Sequence, residues 1–224
     1  MIIPALLNKT VEEFTTQVEQ LSPYHTHFQV DIADGKFVPN TTISLADLVP
    51  YFASKNRNVF DFHLMVEDWK VSLKQVMTFT NNVTVDAVLV HFGAIKDPAE
   101  FLTWKKKVNF PLGLVLNPED SVEDLVKQYS LSDIPAIQIM SVNPGFQGAP
   151  FLPATLQKVE QLRNHNYRLK VYLDGSVNGH TIPEIVSQKF PPDILCIGSY
   201  LTKAENLVQR EKELAHLLTE KREK

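Results

Sequence analysis

Several signatures of specialised protein classes are missing from this sequence of 224 residues. Its single cysteine, Cys196, excludes an internal disulfide and fits a reducing compartment, and we expect it to be a small buried hydrophobic residue. No apolar run approaches the ~18 residues that a membrane span requires. The first residues, MIIPALLNKT, lack the basic stretch and the apolar length of a signal peptide. We therefore expect a cytoplasmic protein with no membrane partner.

An excess of positive charge is missing as well. Lysine and arginine number 22 against 26 aspartates and glutamates, which gives a formal net charge of −4. Because affinity for nucleic acid depends on basic side chains that neutralise phosphates, we expect no nucleic-acid partner. The hydrophobic content of 44% and the charged content of 21% are those of an ordinary globular domain.

What the sequence does contain is a regular alternation of short β-branched runs with amphipathic segments. The segment TVEEFTTQVEQL, for example, begins with a threonine as helix N-cap and places four apolar residues on one stripe: Val11, Phe14, Val18 and Leu21. Eight strands are predicted, near Ile2–Leu7, His27–Ala33, Val59–Met65, Ala87–Phe92, Leu112–Leu116, Ala136–Val142, Leu169–Asp174 and Ile194–Ile197.

This alternation predicts the fold class. Dividing 224 residues among eight strands gives 28 per unit, close to the minimum for a strand and its crossover helix, and strict alternation implies a parallel sheet. The pattern favours a (β/α)8 (TIM) barrel forming a single α/β domain over residues 1–224, although a doubly wound sheet would satisfy the same alternation. No linker or break in composition indicates a second domain.

Four polar residues fall near the C-terminal ends of predicted strands, where barrels of this kind carry their sites. They are Asp31, His63, His91 and Asp174. In FQVDIADGKFVPN, residues 28–40, one face of the strand is apolar and Asp31 lies on the other. Two carboxylates and a histidine could bind a divalent metal, or the two carboxylates could divide acid and base roles across a substrate.

Glycine is scarce, and most of it lies in three late loops. Of eight glycines, five follow the sixth, seventh and eighth predicted strands: Gly145, Gly148, Gly175, Gly179 and Gly198. Glycine turns that lead into helices expose backbone N–H groups to an anion, and the last two loops are the usual phosphate position in this fold. The loops therefore predict a phosphate site, although tight turns alone would also use glycine.

The motifs VDIADGKFVPN, DFHLMV, LGLVLNP, IMSVNPGFQGAPF, LDGS and IGS occur in the order seen in the ribulose-phosphate 3-epimerase family, which the sequence resembles over most of its length. The resemblance implies a barrel that inverts the carbon next to a ketone in a sugar phosphate. It also implies that Asp31 and Asp174 act as the acid/base pair and as metal ligands, with His63 as a further ligand.

The resemblance also implies a set of substrate contacts. Met65 and Met140 match methionines that line the active site of the family. The residues expected around the phosphate are Gly145, Gln147, Gly148, Gly175, Ser176, Gly198 and Ser199. We add Ala5, His91 and Asn40 as further candidates for the site.

The sequence departs from the family pattern inside the expected site. Gln29 stands where the family has a histidine ligand, and a neutral amide oxygen is a weak ligand that suits zinc poorly. His27 lies on the same face but deeper, so it cannot replace the missing ligand without a change of register. The remaining changes are Ala5 for serine, Ala33 for methionine, Gln147 and Ala149 in the loop GFQGA, and Ser176 for glycine.

The sequence thus predicts an epimerase that inverts C3 of a ketose phosphate, converting D-ribulose 5-phosphate to D-xylulose 5-phosphate or acting on a related pair. The expected cofactor is a divalent ion, with Mn, Fe, Mg and Zn as candidates, held by Asp31, His63, Asp174 and Gln29. One alternative is a barrel that binds a sugar phosphate without catalysis, because Gln29 replaces a ligand. Another is a different lyase or isomerase on the same scaffold. The expected partners are a small phosphorylated sugar and other copies of the chain.

Overall fold

Eight parallel strands form a closed barrel in chain order. The computed structural model describes residues 1–53, 57–145 and 148–219. The strands are β1 Ile2–Leu6, β2 His27–Ala33, β3 Val59–Met65, β4 Thr84–His91, β5 Leu112–Leu116, β6 Ala136–Met140, β7 Lys170–Asp174 and β8 Ile194–Ile197. The barrel closes where β1 pairs with β8, with Ile3 opposite Cys196. The (β/α)8 barrel predicted from the sequence is confirmed.

The predicted strands match the observed ones except at some ends. β6 stops at Met140 rather than Val142, because the Ser141 hydroxyl donates to the carbonyls of Asp174 and Gly175 and turns the chain into the next loop. β4 begins at Thr84, earlier than predicted, because an irregularity in its pairing with β3 lets the additional residues join the sheet.

Helices follow the strands and cover the outside of the barrel. They are α1 Val11–Leu21, α2 Leu45–Leu48, α3 Trp69–Met77, α4 Pro98–Lys107, α5 Val122–Gln128, α6 Gln157–Asn164, α7 Ile182–Ser187, α8 Ser199–Thr202 and α9 Leu207–Thr219. Several begin at the caps that their sequences indicate; the hydroxyl of Thr10, for example, accepts a hydrogen bond from the Glu13 amide. Of the helices in the described ranges, none has the length and apolar character needed to cross a membrane.

The apolar stripe of α1 is narrower than predicted. Phe14, Val18 and Leu21 are buried against the barrel, whereas Val11 is exposed. Val11 is the first residue of the helix. The stripe therefore contributes three core residues instead of four.

Strand alternation divides the core into an outer layer and a barrel interior. On β3, for instance, Phe60, Phe62 and Leu64 belong to the outer layer packed against the helices, as predicted, and the residues between them point inward. The interior contains a small apolar cluster together with fully buried polar side chains, including Gln29, Asp61, His63, His91 and Gln138. Since buried polar groups need partners, the interior is where chemistry is to be sought.

Candidate active site

A cavity of about 610 Å³ opens at the C-terminal ends of the strands. Asp31, His63 and Asp174 form its floor, and its walls include residues of the loops that follow β6, β7 and β8. This is the end of the barrel at which the sequence placed the site. Its size suits a small phosphorylated molecule, because ligand pockets generally run from about 300 to 1,000 Å³.

Three potential metal ligands converge on this floor. Asp31 and His63 lie opposite one another in the pairing of β2 with β3, and Asp174 ends β7. The Nδ1 atom of His63 lies 3.1 Å from an Asp31 oxygen and 3.5 Å from an Asp174 oxygen. One ligand atom from each residue can be chosen so that all three lie within 4.8 Å of one another. The donor set of one imidazole and two carboxylates fits a divalent metal ion.

Gln29 lies directly beneath the two carboxylates and joins them. Its side-chain amide donates to Asp31 at 3.0 Å and to Asp174 at 2.6 Å, while its oxygen accepts from the Cys196 thiol at 3.1 Å. In this orientation Gln29 presents N–H groups rather than a ligand oxygen to the site. It therefore positions the carboxylates, and the opposite orientation of its amide would be needed for the predicted ligand role.

A second glutamine also holds Asp174. The Gln138 amide donates to the same Asp174 oxygen that Gln29 contacts, at 3.1 Å. Sequence reasoning missed Gln138, although its signal was present: it is the one polar residue in the strand AIQIM and alternates with the outward-facing Ile137 and Ile139. The two amides make Asp174 the acceptor of two donors inside the barrel, which fixes the orientation of its carboxylate.

His63 and His91 lie side by side under the cavity. Their Nε2 atoms are 2.8 Å apart, and both rings are buried. Burial lowers the pKa of His63, but the hydrogen bonds and charges of Asp174 and Asp31 outweigh it and raise that pKa to about 9. Burial, together with the charge of His63, holds the pKa of His91 well below its usual range. His63 is thus the cation of the pair and donates its Nε2–H to neutral His91.

The environment of Asp31 suits proton transfer. Burial raises the pKa of Asp31, and the hydrogen bond from His63 opposes that effect only in part. A carboxyl group whose pKa is raised toward neutrality is a better base than an ordinary surface carboxylate. The floor therefore combines two carboxylates with an adjacent cationic imidazole, the groups needed to move a proton and to stabilise the negative charge that results.

The late loops adopt the conformations that glycine permits. Gly145, Gly148 and Gly175 have φ values of +120°, +88° and +119°. A Cβ at Gly175 would lie 2.9 Å from the Val142 amide nitrogen, so only glycine fits that close approach. Ser176 also has a positive φ of 50°, and its hydroxyl donates to the Ala149 carbonyl.

Most of the residues predicted for the site lie around the cavity. The predicted lining residues that surround it are Ala5, Asp31, His63, Met65, Met140, Gly145, Gly148, Asp174, Gly175, Ser176, Gly198 and Ser199. Gln29 and His91 are fully buried behind this lining. Asn40 joins two loops, because its amide donates to the Gly145 carbonyl at 2.5 Å and its oxygen accepts from Lys9. Gln147 lies outside the described residues.

Several lining residues were not predicted. Lys203 and Arg210 bring positive charge to the wall formed by the last two loops and the start of α9, and His180 lines the same wall. Arg210 lies 3.6 Å from the centre of the Tyr200 ring. Cys196, expected to be a plain hydrophobic residue, is buried but also lines the cavity and bonds to Gln29. His180, Cys196 and Lys203 lie within a few residues of the motifs LDGS and IGS, so the flanks of those motifs were the signal that could have found them.

The sequence model of the ribulose-phosphate 3 epimerase family matches residues 1–202. The chain belongs to the ribulose-phosphate 3 epimerase family. Among curated relatives, the ribulose-phosphate 3-epimerase of Chlamydia pneumoniae is 28% identical over 222 residues, covering 95% of this chain and 92% of the relative. The ribulose-phosphate 3-epimerase of Methanocaldococcus jannaschii is 29% identical over 177 residues, which cover 77% of this chain and 70% of the relative. The family expected from the motifs is thereby confirmed, and with it the enzyme class, an epimerase of sugar phosphates.

Solved structures with low sequence identity share the fold. KGPDC from Streptococcus mutans superposes with a TM-score of 0.67 at 12% identity, covering 98% of this chain and 97% of that chain. A tryptophan synthase α-subunit mutant from Pyrococcus furiosus superposes with a TM-score of 0.66 at 14% identity, and the match covers 97% of both chains. At these identities the likeness supports the barrel fold alone. The family is shown by the sequence match, and the roles of individual residues rest on geometry.

Proposed function

We propose that the protein inverts C3 of a ketose phosphate, interconverting D-ribulose 5-phosphate and D-xylulose 5-phosphate or a closely related pair. The observation that carries this proposal is the position of Asp31 and Asp174. They approach the cavity floor from different strands, β2 and β7, and are held by hydrogen bonds on their lower sides. Two carboxylates so arranged can serve the two faces of one substrate carbon.

The loops provide the means to orient the sugar. The phosphate would bind against the backbone of the loops that contain Gly175, Ser176 and Gly198, near the positive charges of Lys203 and Arg210. That anchoring would lay the ketose across the floor, with C3 between the carboxylates. One aspartate then removes the C3 proton to give the enediolate, and the other returns a proton to the opposite face, which inverts the carbon.

Without a bound ion, protonated His63 would supply positive charge where the enediolate develops negative charge. Its Nδ1–H points between Asp31 and Asp174, and its Nε2–H is held by His91. Fixed donors stabilise a transition state more than mobile ones, because they need no reorganisation during the reaction. The Met65 and Met140 side chains line the same cavity.

Asp31, His63 and Asp174 would hold a divalent cofactor ion, and the fit is supported by the second contact of the histidine. If Nδ1 binds the ion, Nε2–H remains donated to His91, an arrangement that fixes the tautomer of metal-binding histidines. A bound ion would stabilise the negative charge on the substrate oxygens. With two carboxylates and one imidazole, Mn, Fe, Mg and Zn all remain candidates.

A non-catalytic sugar-phosphate-binding barrel is the second candidate function. It is favoured by one observation: the Gln29 amide donates to both carboxylates, which satisfies them without an ion. In that case the cavity would bind the phosphorylated sugar without exchanging its protons.

The decisive experiment measures proton exchange at C3 of D-ribulose 5-phosphate in deuterated water, together with elemental analysis of the purified protein. Deuterium at C3 of both epimers, with product formation, is the result expected of the epimerase. Saturable binding of the sugar phosphate without exchange, in protein reconstituted with each candidate ion, would establish the binding barrel instead.

Replacing Gln29 with histidine separates a weakened metal site from a working one. If the amide weakens the site, Gln29→His should raise metal affinity and turnover together, because an imidazole is the better ligand. If neither metal affinity nor turnover rises, glutamine at position 29 does not weaken the site, and Gln29 is part of a functional active site. Gln20→His, an exposed position on α1, is the matched control.

The expected location and assembly of the protein stay predictions. We propose that it acts in the cytoplasm as a homo-oligomer. Light scattering of the full-length protein tests the second statement, since a mass of 25.4 kDa would identify a monomer.

A further inference from the structure

A second polar cluster lies in the barrel at the end opposite the candidate active site. It consists of His27, the first residue of β2, with Asp61 on β3 and Asp86 on β4. One ligand atom from each residue can be chosen so that the three lie within 4.8 Å of one another. We call these three residues the lower cluster, and Asp31, His63 and Asp174 the upper cluster.

Asp61 is a buried carboxylate with no well-aligned hydrogen bond. It has no exposed surface, and within the described ranges its nearest donors are the His27 ring, 2.9 Å away, and the Tyr172 hydroxyl, neither of them in good hydrogen-bond geometry. A polar group left in this state ordinarily costs about 1–3 kcal/mol, and more when it is charged. Something that the protein chain does not itself provide is therefore expected to contact this carboxylate.

The close contact between Asp61 and His27 is compatible with two ligands of one ion. The His27 Nε2 atom lies only 2.9 Å from an Asp61 oxygen, yet within the described structure neither atom makes a well-aligned hydrogen bond. At that distance a poor angle is what prevents one. Donor atoms that share a metal ion lie similarly close together.

A third atom without a well-aligned hydrogen bond lies in the same region. The Tyr172 hydroxyl is buried and makes no well-aligned hydrogen bond to the part of the chain that the structure describes. Burial, and then the negative charges of Asp61 and Asp86, raise the pKa of this phenol, and its contact with the Asp61 carboxylate adds to the rise. The hydroxyl could thus bond to Asp61 or to a water bound to an ion there.

Asp86 reaches the cluster through an irregularity in the sheet. Phe60 pairs with Val85 and Asp61 pairs with Ala87, so Asp86 is an extra residue on β4. Such bulges redirect a side chain that alternation would otherwise point outward. As a result an Asp86 oxygen lies 4.0 Å from His27 Nε2. The Asp86 side chain is 30% exposed, which gives an ion a route from solvent.

We propose that His27, Asp61 and Asp86 bind a divalent transition-metal ion such as Zn²⁺. One imidazole and two carboxylates are ordinary zinc ligands, and bonds of about 2 Å to a tetrahedral ion place donor atoms roughly 3.3 Å apart. The ion satisfies the buried Asp61 carboxylate and tethers β2, β3 and β4 near the ends at which these strands begin. The site is structural, since the catalytic cavity lies at the other end.

Lys170 competes with the ion. Its ammonium lies 2.6 Å from an Asp86 oxygen, and its side chain is 46% exposed and can move into solvent. The competing description of the cluster is therefore a network of ion pairs, His27 with Asp61 and Lys170 with Asp86, that needs no metal. The two descriptions predict opposite results when Lys170 is removed.

The test measures Zn²⁺ binding to the metal-stripped, full-length protein by equilibrium dialysis, and the rise of the thermal midpoint that Zn²⁺ causes. The double variant Asp31→Asn with Asp174→Asn disables the upper cluster and should retain one equivalent of Zn²⁺ and the rise. In that background, adding Asp86→Asn should weaken the remaining binding at least ~10-fold, as loss of metal-site contacts commonly does. Asp133→Asn, an exposed carboxylate outside both clusters, is the matched control.

Asp86→Asn should weaken Zn²⁺ binding, whereas Lys170→Met should strengthen it. In the background without an upper cluster, this variant should bind Zn²⁺ several-fold more tightly, because Asp86 loses its competing cation. An anomalous diffraction peak at the zinc edge should lie between His27, Asp61 and Asp86. If the background protein binds no zinc and Lys170→Met gains none, the ion-pair network is the correct description and the proposal is wrong.

Discussion

The two ends of the barrel interior carry similar groups in different states. Each end combines a histidine with two aspartates, but the upper carboxylates are held by amide donors from Gln29 and Gln138. At the lower end, Asp61 receives no well-aligned hydrogen bond from the described residues. The upper geometry is thus fixed by the protein before any ligand arrives, as catalysis requires, whereas the lower geometry needs an additional group.

The largest effect expected at the upper end is on the rate. Asp174→Asn should lower kcat/KM by about 10³-fold, because it removes one of the two groups that move the C3 proton. Conversion of D-ribulose 5-phosphate measures the change, with Asp133→Asn as the control for the same substitution on the surface. Retention of more than a tenth of the activity by a folded Asp174→Asn variant would remove Asp174 from the mechanism.

The next effect is a dependence of stability on pH in chelator-treated protein. The pKa of His63 rises from 6.5 to about 9 on folding. Its stabilising contribution is therefore complete below pH 6.5 and is lost as the pH rises through about 9, and it amounts to roughly 3 kcal/mol. Urea unfolding between pH 6 and pH 10 measures it. His63→Gln should flatten this part of the profile, and an unchanged slope would show that other groups cause it.

Most substitutions in a protein core lower the free energy of unfolding, but at the lower end we expect one that raises it. Asp61→Leu should raise the free energy of unfolding of chelated protein by about 1–3 kcal/mol, because it removes a buried carboxylate that has no well-aligned hydrogen bond. Asp31→Leu, which removes a carboxylate that is hydrogen-bonded, should lower it. Urea midpoints of the two variants test the contrast; destabilisation by both would mean that Asp61 has compensating partners in the native state.

The smallest expected effect concerns Gln138, which holds Asp174 without lining the cavity. Gln138→Met should lower kcat about 10-fold and leave KM nearly unchanged, since the lost hydrogen bond to a charged group is worth about 1.5 kcal/mol or more. Steady-state kinetics separates the two constants. Gln128→Met, an exposed position at the end of α5, is the control. A rise in KM with unchanged kcat would indicate that Gln138 acts on substrate binding instead.

Much of the fold could be predicted because it follows from local patterns. Alternating runs such as VFDFHLM indicated both the strand and its inward face, and the threonine and serine caps indicated where helices begin. The ends of β4 and β6 were wrong, because a bulge and a serine bonded to distant carbonyls decide them. Neither partner of such an interaction is visible in a local window of sequence.

The candidate site was likewise predictable where it depends on residues within one segment, and not where it depends on contacts between strands. Strand ends and motifs located Asp31, His63 and Asp174, but they did not indicate that the Gln29 amide donates to both carboxylates. Gln138 was missed because one polar residue in an apolar strand has no meaning until the opposing wall is known. The lower cluster was missed because its residues lie on three strands and Asp86 is redirected by the bulge.

The sequence alone determined the barrel, its family and the three residues of the upper cluster, because each follows from periodicity or from motifs within one segment. Only the tertiary structure decided how those residues are held: which carboxylate oxygen each amide contacts, which histidine carries the charge, and which carboxylate has no well-aligned hydrogen bond. These depend on distances between strands that are far apart in the chain. Free energies of hydrogen bonding and of ionisation change steeply over such distances, and periodicity carries no record of them.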